Sequence, residues 1–279
     1  MRARAGALQR GAVAAQRVDS VARAALAWAT VVVLVTGLSG LIGGALRRHL
    51  DPARYALRSL SRRRVDGVPG HQADIADLDA IQPAFAGVDA VAHLAAAVGN
   101  PPADVVLRVN VVGTYNVFEA ARRAGVKRVI FASSGATVSA WEQEEPYRSL
   151  VEGRYDGMRD WPMITHETAL RPAGLYGASK VWGEALGRRY ATAHGMSVIC
   201  VRVGRVRAED RPREPREFAV YCSQRDVARM IERCLAAPPT VRFDVFFVTS
   251  RNRWGYRDLD HARAVIGFEP VDAAEDHRA

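Results

Sequence analysis

Thr30-Val31-Val32-Val33-Leu34-Val35-Thr36-Gly37-Leu38-Ser39-Gly40-Leu41-Ile42-Gly43 decides how the rest of the chain is read. Val31 to Val35 form a continuous apolar run, mostly β-branched. A run without polar alternation predicts a strand covered on both faces, as in a parallel sheet. The glycines that follow are spaced G-x-x-G-x-x-G and lead into an amphipathic stretch at residues 42–49. Glycine permits a sharp turn and a close approach of another group to the backbone. A helix that starts there offers free N–H groups and the positive end of its dipole. Strand, glycine turn and helix together predict a pyrophosphate cradle for a dinucleotide. Gly37, Ser39, Gly40, Leu41, Ile42 and Gly43 are its candidate residues. The alternative is a tight turn without a ligand.

Outward from this unit the chain keeps alternating. Strands are predicted at residues 55–60, 89–94, 129–132 and 197–203. Helices are predicted at 75–86, 105–124 and 176–194. Strands and helices in this order imply βαβ units and a doubly wound parallel sheet of the Rossmann type, an α/β fold. Beyond residue 203 the alternation fails. Residues 205–217 are charged and carry Pro212 and Pro215, which predicts a loop. A helix at 226–236 and a strand at 243–248 follow. The expected organisation is a nucleotide-binding domain over 30–204 and a small substrate-capping region over 205–279.

Composition narrows the class. The chain has 279 residues, 49% hydrophobic and 25% charged, and carries a net charge of +9. The basic residues are almost all Arg, scattered among acids, so no stripe suited to nucleic acid emerges. Lys127 and Lys180 are the only lysines. Cys200, Cys222 and Cys234 form no C-x-x-C, and their odd number argues against a disulfide framework and for a reducing cytoplasm. No histidine pattern suits a metal. Residues 1–29 are rich in Ala and Arg, with Asp19 the one acid, and are read as a disordered extension; a transit or export peptide is the alternative. The apolar run at 24–35 is too short to span a bilayer, so no membrane partner is expected.

Further candidates line up behind the glycine turn. The second strand ends in Arg58-Ser59-Leu60-Ser61-Arg62-Arg63-Arg64, with no acid to hold ribose hydroxyls. Ser61 and Arg62 could hold a 2′-phosphate, which favours NADP over NAD; the alternative is ordinary surface arginine. Asp74 and Ile75 are placed at the adenine. Leu94, Ala95 and Ala96 are small enough to lie against a cofactor. Asn110 could tie its helix to the neighbouring strand, or simply be exposed.

Tyr176-Gly177-Ala178-Ser179-Lys180 puts a phenol and an ammonium on one face of a helix. A cation beside a phenol favours its ionisation, so Tyr176 can exchange a proton with a substrate hydroxyl. Lys180 can also reach the nicotinamide ribose. Ser134, after the strand at 129–132, could hydrogen-bond the same substrate oxygen, and Ser133 stands beside it.

With these residues in view, the chain resembles the extended short-chain dehydrogenases/reductases of the NAD-dependent epimerase/dehydratase family. The resemblance covers about residues 31–276 and rests on the glycine motif, His93-Leu94-Ala95-Ala96, Asn110, Phe131-Ala132-Ser133-Ser134, and Tyr176 with Lys180. It is strongest toward uronate dehydrogenases, through residues 171–180, 202–204, 216–226 and 250–254. It implies hydride transfer between NAD(P) and a sugar or sugar-acid hydroxyl, a homodimer, and Arg216 as receptor for the substrate carboxylate. A guanidinium matches a carboxylate bidentately; the alternative for Arg216 is a solvated loop charge. The chain departs from that pattern in three places. Gly135-Ala136 stand where uronate dehydrogenases have Asn-His. Ser61 replaces an Asp. Residues 135–175 are longer and carry Trp141, Tyr147, Tyr155 and Trp161, forming either a lid or a surface excursion. Other readings are an epimerase or dehydratase that keeps its cofactor bound, and a non-catalytic NADP-binding sensor.

Overall fold

The computed structural model describes residues 30–277. The expectation for residues 1–29 therefore lies outside the described residues. Seven strands form one sheet: β1 (Val31–Thr36), β2 (Tyr55–Ser61), β3 (Gly70–Gln72), β4 (Ala90–His93), β5 (Arg128–Ser134), β6 (Ser197–Val203) and β7 (Phe243–Val248). Their order is β3-β2-β1-β4-β5-β6-β7, and every pairing is parallel. The order reverses between β1 and β4, which opens a crevice at the carboxyl ends of these strands.

The alternate side chains of β1 explain its position. Val33 and Val35 belong to one core and Leu34 to the other. Each fully buried side chain of this size contributes about 1.5–3 kcal/mol. On the Val33 face lie α1 (Leu41–His49), α8 (Gln224–Leu235) and α9 (Asp260–Ile266), through Ala45, Leu46, Val227, Ile231, Cys234 and Ile266. On the Leu34 face lie α4 (Thr114–Arg123) and α6 (Leu175–His194), through Val117, Phe118, Ala121, Tyr190 and Ala191.

Two expected helices take a different shape. Residues 75–86 form only α2 (Leu78–Ile81), capped by Asp77, and a tighter 3-10 turn over Gln82–Phe85. Pro83 supplies no N–H, so a regular helix cannot run through it. The expected continuous helix at 105–124 is interrupted. α3 (Ala103–Val106) passes into a wider π-helical turn over Leu107–Gly113 before α4 begins. That bulge carries Asn110. β3 consists of Gly-His-Gln, too short and too polar to show in a hydropathy pattern.

The loop expected at 205–217 is present and ends in α7 (Glu217–Val220). Residues 135–175 do not hang loose. A 3-10 segment over Gly135–Gln143 and α5 (Tyr147–Glu152) pack with the C-terminal chain in a third core of Val138, Tyr147, Leu150, Ile164, Val220, Phe247, Trp254 and Tyr256. Tyr155 stacks on Trp254 with ring centroids 3.9 Å apart. This core covers the carboxyl ends of β5–β7. No described helix is long and apolar enough to cross a membrane.

Candidate active site

A cleft of about 1130 Å³ runs from the glycine turn to the third core. Every predicted site residue lines it except Asn110.

At one end, Gly37 adopts φ +72°, and a Cβ there would stand 2.9 Å from the Ala95 backbone. A Cβ on Gly43 would stand 2.4 Å from the Leu38 carbonyl oxygen. The turn thus fits glycine for two reasons, conformation and space. Gly40 precedes α1 and no side chain caps the helix, so its first N–H groups face the cleft. This cradle fits a pyrophosphate in charge and in room.

Beside it, Ser61, Arg62 and Arg63 end β2 on the cleft wall. The Ser61 hydroxyl is buried and shares a 2.9 Å hydrogen bond with Ser59. Asp74 accepts from the Ala76 N–H and from Arg108 Nη2 at 2.5 Å. Burial works against this carboxylate, but those two donors outweigh it and hold its pKa below the usual value. Leu94, Ala95 and Ala96 also line the cleft, with the Ala95 backbone against Gly37. Asn110 is buried behind them. Its amide accepts from Ala97 N–H at 2.7 Å and donates to the Ala97 carbonyl at 3.0 Å. It also donates to Ser179 Oγ at 3.1 Å. Asn110 therefore fixes the loop after β4 against α6, a different tie from the expected one to a strand.

Tyr176 and Lys180 share one face of α6. Burial pushes the phenol of Tyr176 above its ordinary pKa, and the neighbouring Ser134 hydroxyl opposes that rise. Lys180 Nζ is buried, donates to the Ala132 carbonyl at 2.7 Å and lies 5.7 Å from the Tyr176 ring centroid. Burial lowers its pKa to about 8, against the opposing charge of Glu184. Ser134 caps the segment after β5, its Oγ accepting from Ala136 N–H at 3.1 Å. Ser133 lines the cleft, but its hydroxyl donates to Glu184 Oε1 at 2.6 Å.

Glu184 escaped the sequence reading. It binds Arg202 of β6 through two hydrogen bonds of 2.9 Å, with both side chains almost fully buried. Its one sequence signal is its place one helical turn beyond Lys180.

Arg216 reaches the far end of the cleft and is engaged there. Its Nε and Nη2 donate to the two oxygens of Glu142 at 2.6 and 2.7 Å. Burial works against that guanidinium, but Glu142 overcomes it and raises its pKa. Tyr256 Oη donates to the same carboxylate at 2.5 Å. Arg205 and Arg257 also line this end. Glu142 and Arg257 lay in stretches without motif, so only the folded chain brings them together.

Residues 33–266 match the NAD dependent epimerase/dehydratase family. The NAD-dependent glucose-6-phosphate dehydrogenase of Haloferax volcanii is 37% identical over 86% of this chain and 93% of its own length. The uronate dehydrogenase of Agrobacterium fabrum is 32% identical over 88% of this chain and 86% of its own. The crystal structure of uronate dehydrogenase from Agrobacterium tumefaciens superposes with a TM-score of 0.75 at 30% identity, over 88% of this chain and 86% of that one. With the glycine cradle, the Tyr176–Lys180 pair and this breadth of similarity together, the chain belongs to the NAD dependent epimerase/dehydratase family.

Proposed function

We propose that this enzyme transfers a hydride between a nicotinamide dinucleotide and a hydroxyl-bearing carbon of a sugar or sugar acid. The observation that carries the reading is the trio of Tyr176, Ser134 and the buried Lys180, on the wall of the same cleft that begins at the glycine cradle. Gly37, Gly40 and the start of α1 would hold the pyrophosphate. Bound oxidised nicotinamide supplies the hydride acceptor.

The residues of the chain do the rest. Ser134 orients the substrate hydroxyl toward Tyr176. Tyr176 takes its proton as the hydride leaves the same carbon. Burial alone makes the phenol a reluctant base. Ser134 opposes that effect of burial, and in this reading the Lys180 cation, 5.7 Å from the ring centroid, adds to the opposition by favouring the ionised form. Glu142 and Ala132 keep the polar ends of the site fixed through Arg216 and Lys180. Arg216 stands where the distal end of the sugar would lie.

The end of β2 favours NADP over NAD. No acid stands there to repel a 2′-phosphate, and Arg62 and Arg63 face the cleft. The same reading includes a homodimer formed through α4 and α6, whose flank exposes Val112, Tyr115 and Leu175.

The test follows reduced-cofactor absorbance while uronates, aldose phosphates and aldoses are offered with NAD and with NADP. Turnover of a sugar with net cofactor reduction supports the reading. Tightly bound cofactor that co-purifies, with substrate altered but no net reduction, would replace it by an epimerase or dehydratase.

A further inference from the structure

Arg257 is the charge that the scheme above leaves without work. Its side chain is 2% exposed. Its backbone is clamped between the two capping segments, since Ile164 N–H donates to Tyr256 O at 2.7 Å and Asp258 N–H donates to Ile164 O at 2.9 Å. The rings of Tyr256 and Phe247 lie 5.5 and 6.0 Å from its guanidinium carbon. Yet the guanidinium makes no hydrogen bond with any described residue, and Nε is buried without a partner. The nearest acid is Glu142, 3.6 Å from Nη2, and its two oxygens are already taken by Arg216 and Tyr256.

Two features direct this cation at the reacting centre. Arg257 forms part of the cleft wall. Its guanidinium also lies directly over Gly135, the residue after Ser134. A Cβ on Gly135 would fall 2.1 Å from Nη1 and 2.2 Å from the guanidinium carbon. Any residue but glycine there would expel the arginine. A buried cation without a hydrogen-bonded partner is costly, and a ligand anion would relieve that cost.

We propose that Arg257 receives the anionic group of the substrate, a carboxylate or a phosphate carried by the sugar. Arg216, held by Glu142, then supports the site rather than acting as the principal receptor. Arg257 is a specificity-determining residue for the hydride transfer proposed above, and the inference rests on that reading. A guanidinium offers several donors in one plane, which suits either oxyanion.

The test compares wild type, Arg257→Met, Arg257→Lys and Gly135→Ala at saturating cofactor. The substrates are a uronate, an aldose 6-phosphate and the corresponding uncharged aldose; the first two distinguish carboxylate from phosphate. In Arg257→Met the ratio of kcat/KM for the preferred anionic sugar to that for the aldose should fall about 10- to 100-fold, mostly through KM. Arg257→Lys should restore part of the ratio, and Gly135→Ala should lower it with every charge retained. An unchanged ratio in Arg257→Met, or a wild type that prefers the uncharged aldose, would overturn the proposal. Calorimetric binding of the same sugars to the cofactor-loaded proteins separates this from the parent reading. If wild type turns over no sugar, the hydride-transfer reading fails. Anion binding that is present in wild type and lost in Arg257→Met would still support the anion site, while equal binding in both, or none in wild type, would overturn it.

Discussion

Lys180 holds its ammonium 5.7 Å from the centre of the Tyr176 ring, anchored by a 2.7 Å hydrogen bond to the Ala132 carbonyl. The main chain of β5 thus sets the distance between the cation and the phenol. Lys180→Met removes the charge and leaves the burial, which raises the phenol's pKa, unopposed by a nearby cation. We expect the rising limb of kcat/KM for sugar oxidation to move to higher pH, and the rate at neutral pH to drop about 100-fold. A pH–rate profile of both proteins checks this. A profile displaced nowhere would assign Lys180 a purely structural role.

Glu184 and Arg202 are almost fully buried and joined by two hydrogen bonds of 2.9 Å. Glu184→Gln leaves the guanidinium without its counter-charge in the core and weakens the bond from Ser133. The loss of stability should be about 3–5 kcal/mol. Chemical denaturation measures it directly. A change under 1 kcal/mol, on the order of a surface pair, would show that water reaches Arg202.

His93 is buried between Thr36 and Thr114, at 2.7 and 3.0 Å from their hydroxyls. Burial lowers its pKa to about 3, and the Lys180 charge acts in the same direction. The unfolded imidazole, near its usual 6.5, binds a proton that the folded one refuses. Its contribution is therefore complete above pH 6.5 and is lost as pH falls toward 3. The slope is about 1.4 kcal/mol per pH unit across that window. Denaturation curves between pH 7 and 4 should show a steeper decline in wild type than in His93→Asn. Parallel declines would mean that His93 titrates freely.

Much of this architecture was legible before folding. Val31 to Val35 and the glycine spacing specify the first βα unit, because strand burial and turn geometry are local properties. Tyr176 and Lys180 share a face by helical period alone. The π-turn at Asn110 was not legible, since it is set by distant partners, Ala97 and Ser179. The arginine-lined end of the cleft was harder still. Glu142, Arg216 and Arg257 are far apart in sequence and meet only when the third core forms. Gly135, which read simply as a departure from a pattern, gains meaning from the guanidinium above it.

Gly37→Ala tests the cradle. The residue sits at φ +72°, and its Cβ would press on Ala95 at 2.9 Å. Strain of about 1–3 kcal/mol is expected, distorting the turn under the pyrophosphate. The variant should stay folded with a lower Tm and bind cofactor at least about tenfold more weakly, since every 1.4 kcal/mol is tenfold. Titration of cofactor fluorescence decides. Full affinity in a destabilised variant would place the pyrophosphate elsewhere.

The proposed reaction requires Tyr176 to exchange the substrate proton beside a cofactor seated on the glycine turn. Tyr176→Phe removes one oxygen and leaves the rest of the cleft. Reduced-nicotinamide formation should fall about 10²- to 10⁴-fold, while the cofactor Kd stays at the wild-type value. Turnover at the wild-type rate in that variant would rule out Tyr176 as the proton acceptor.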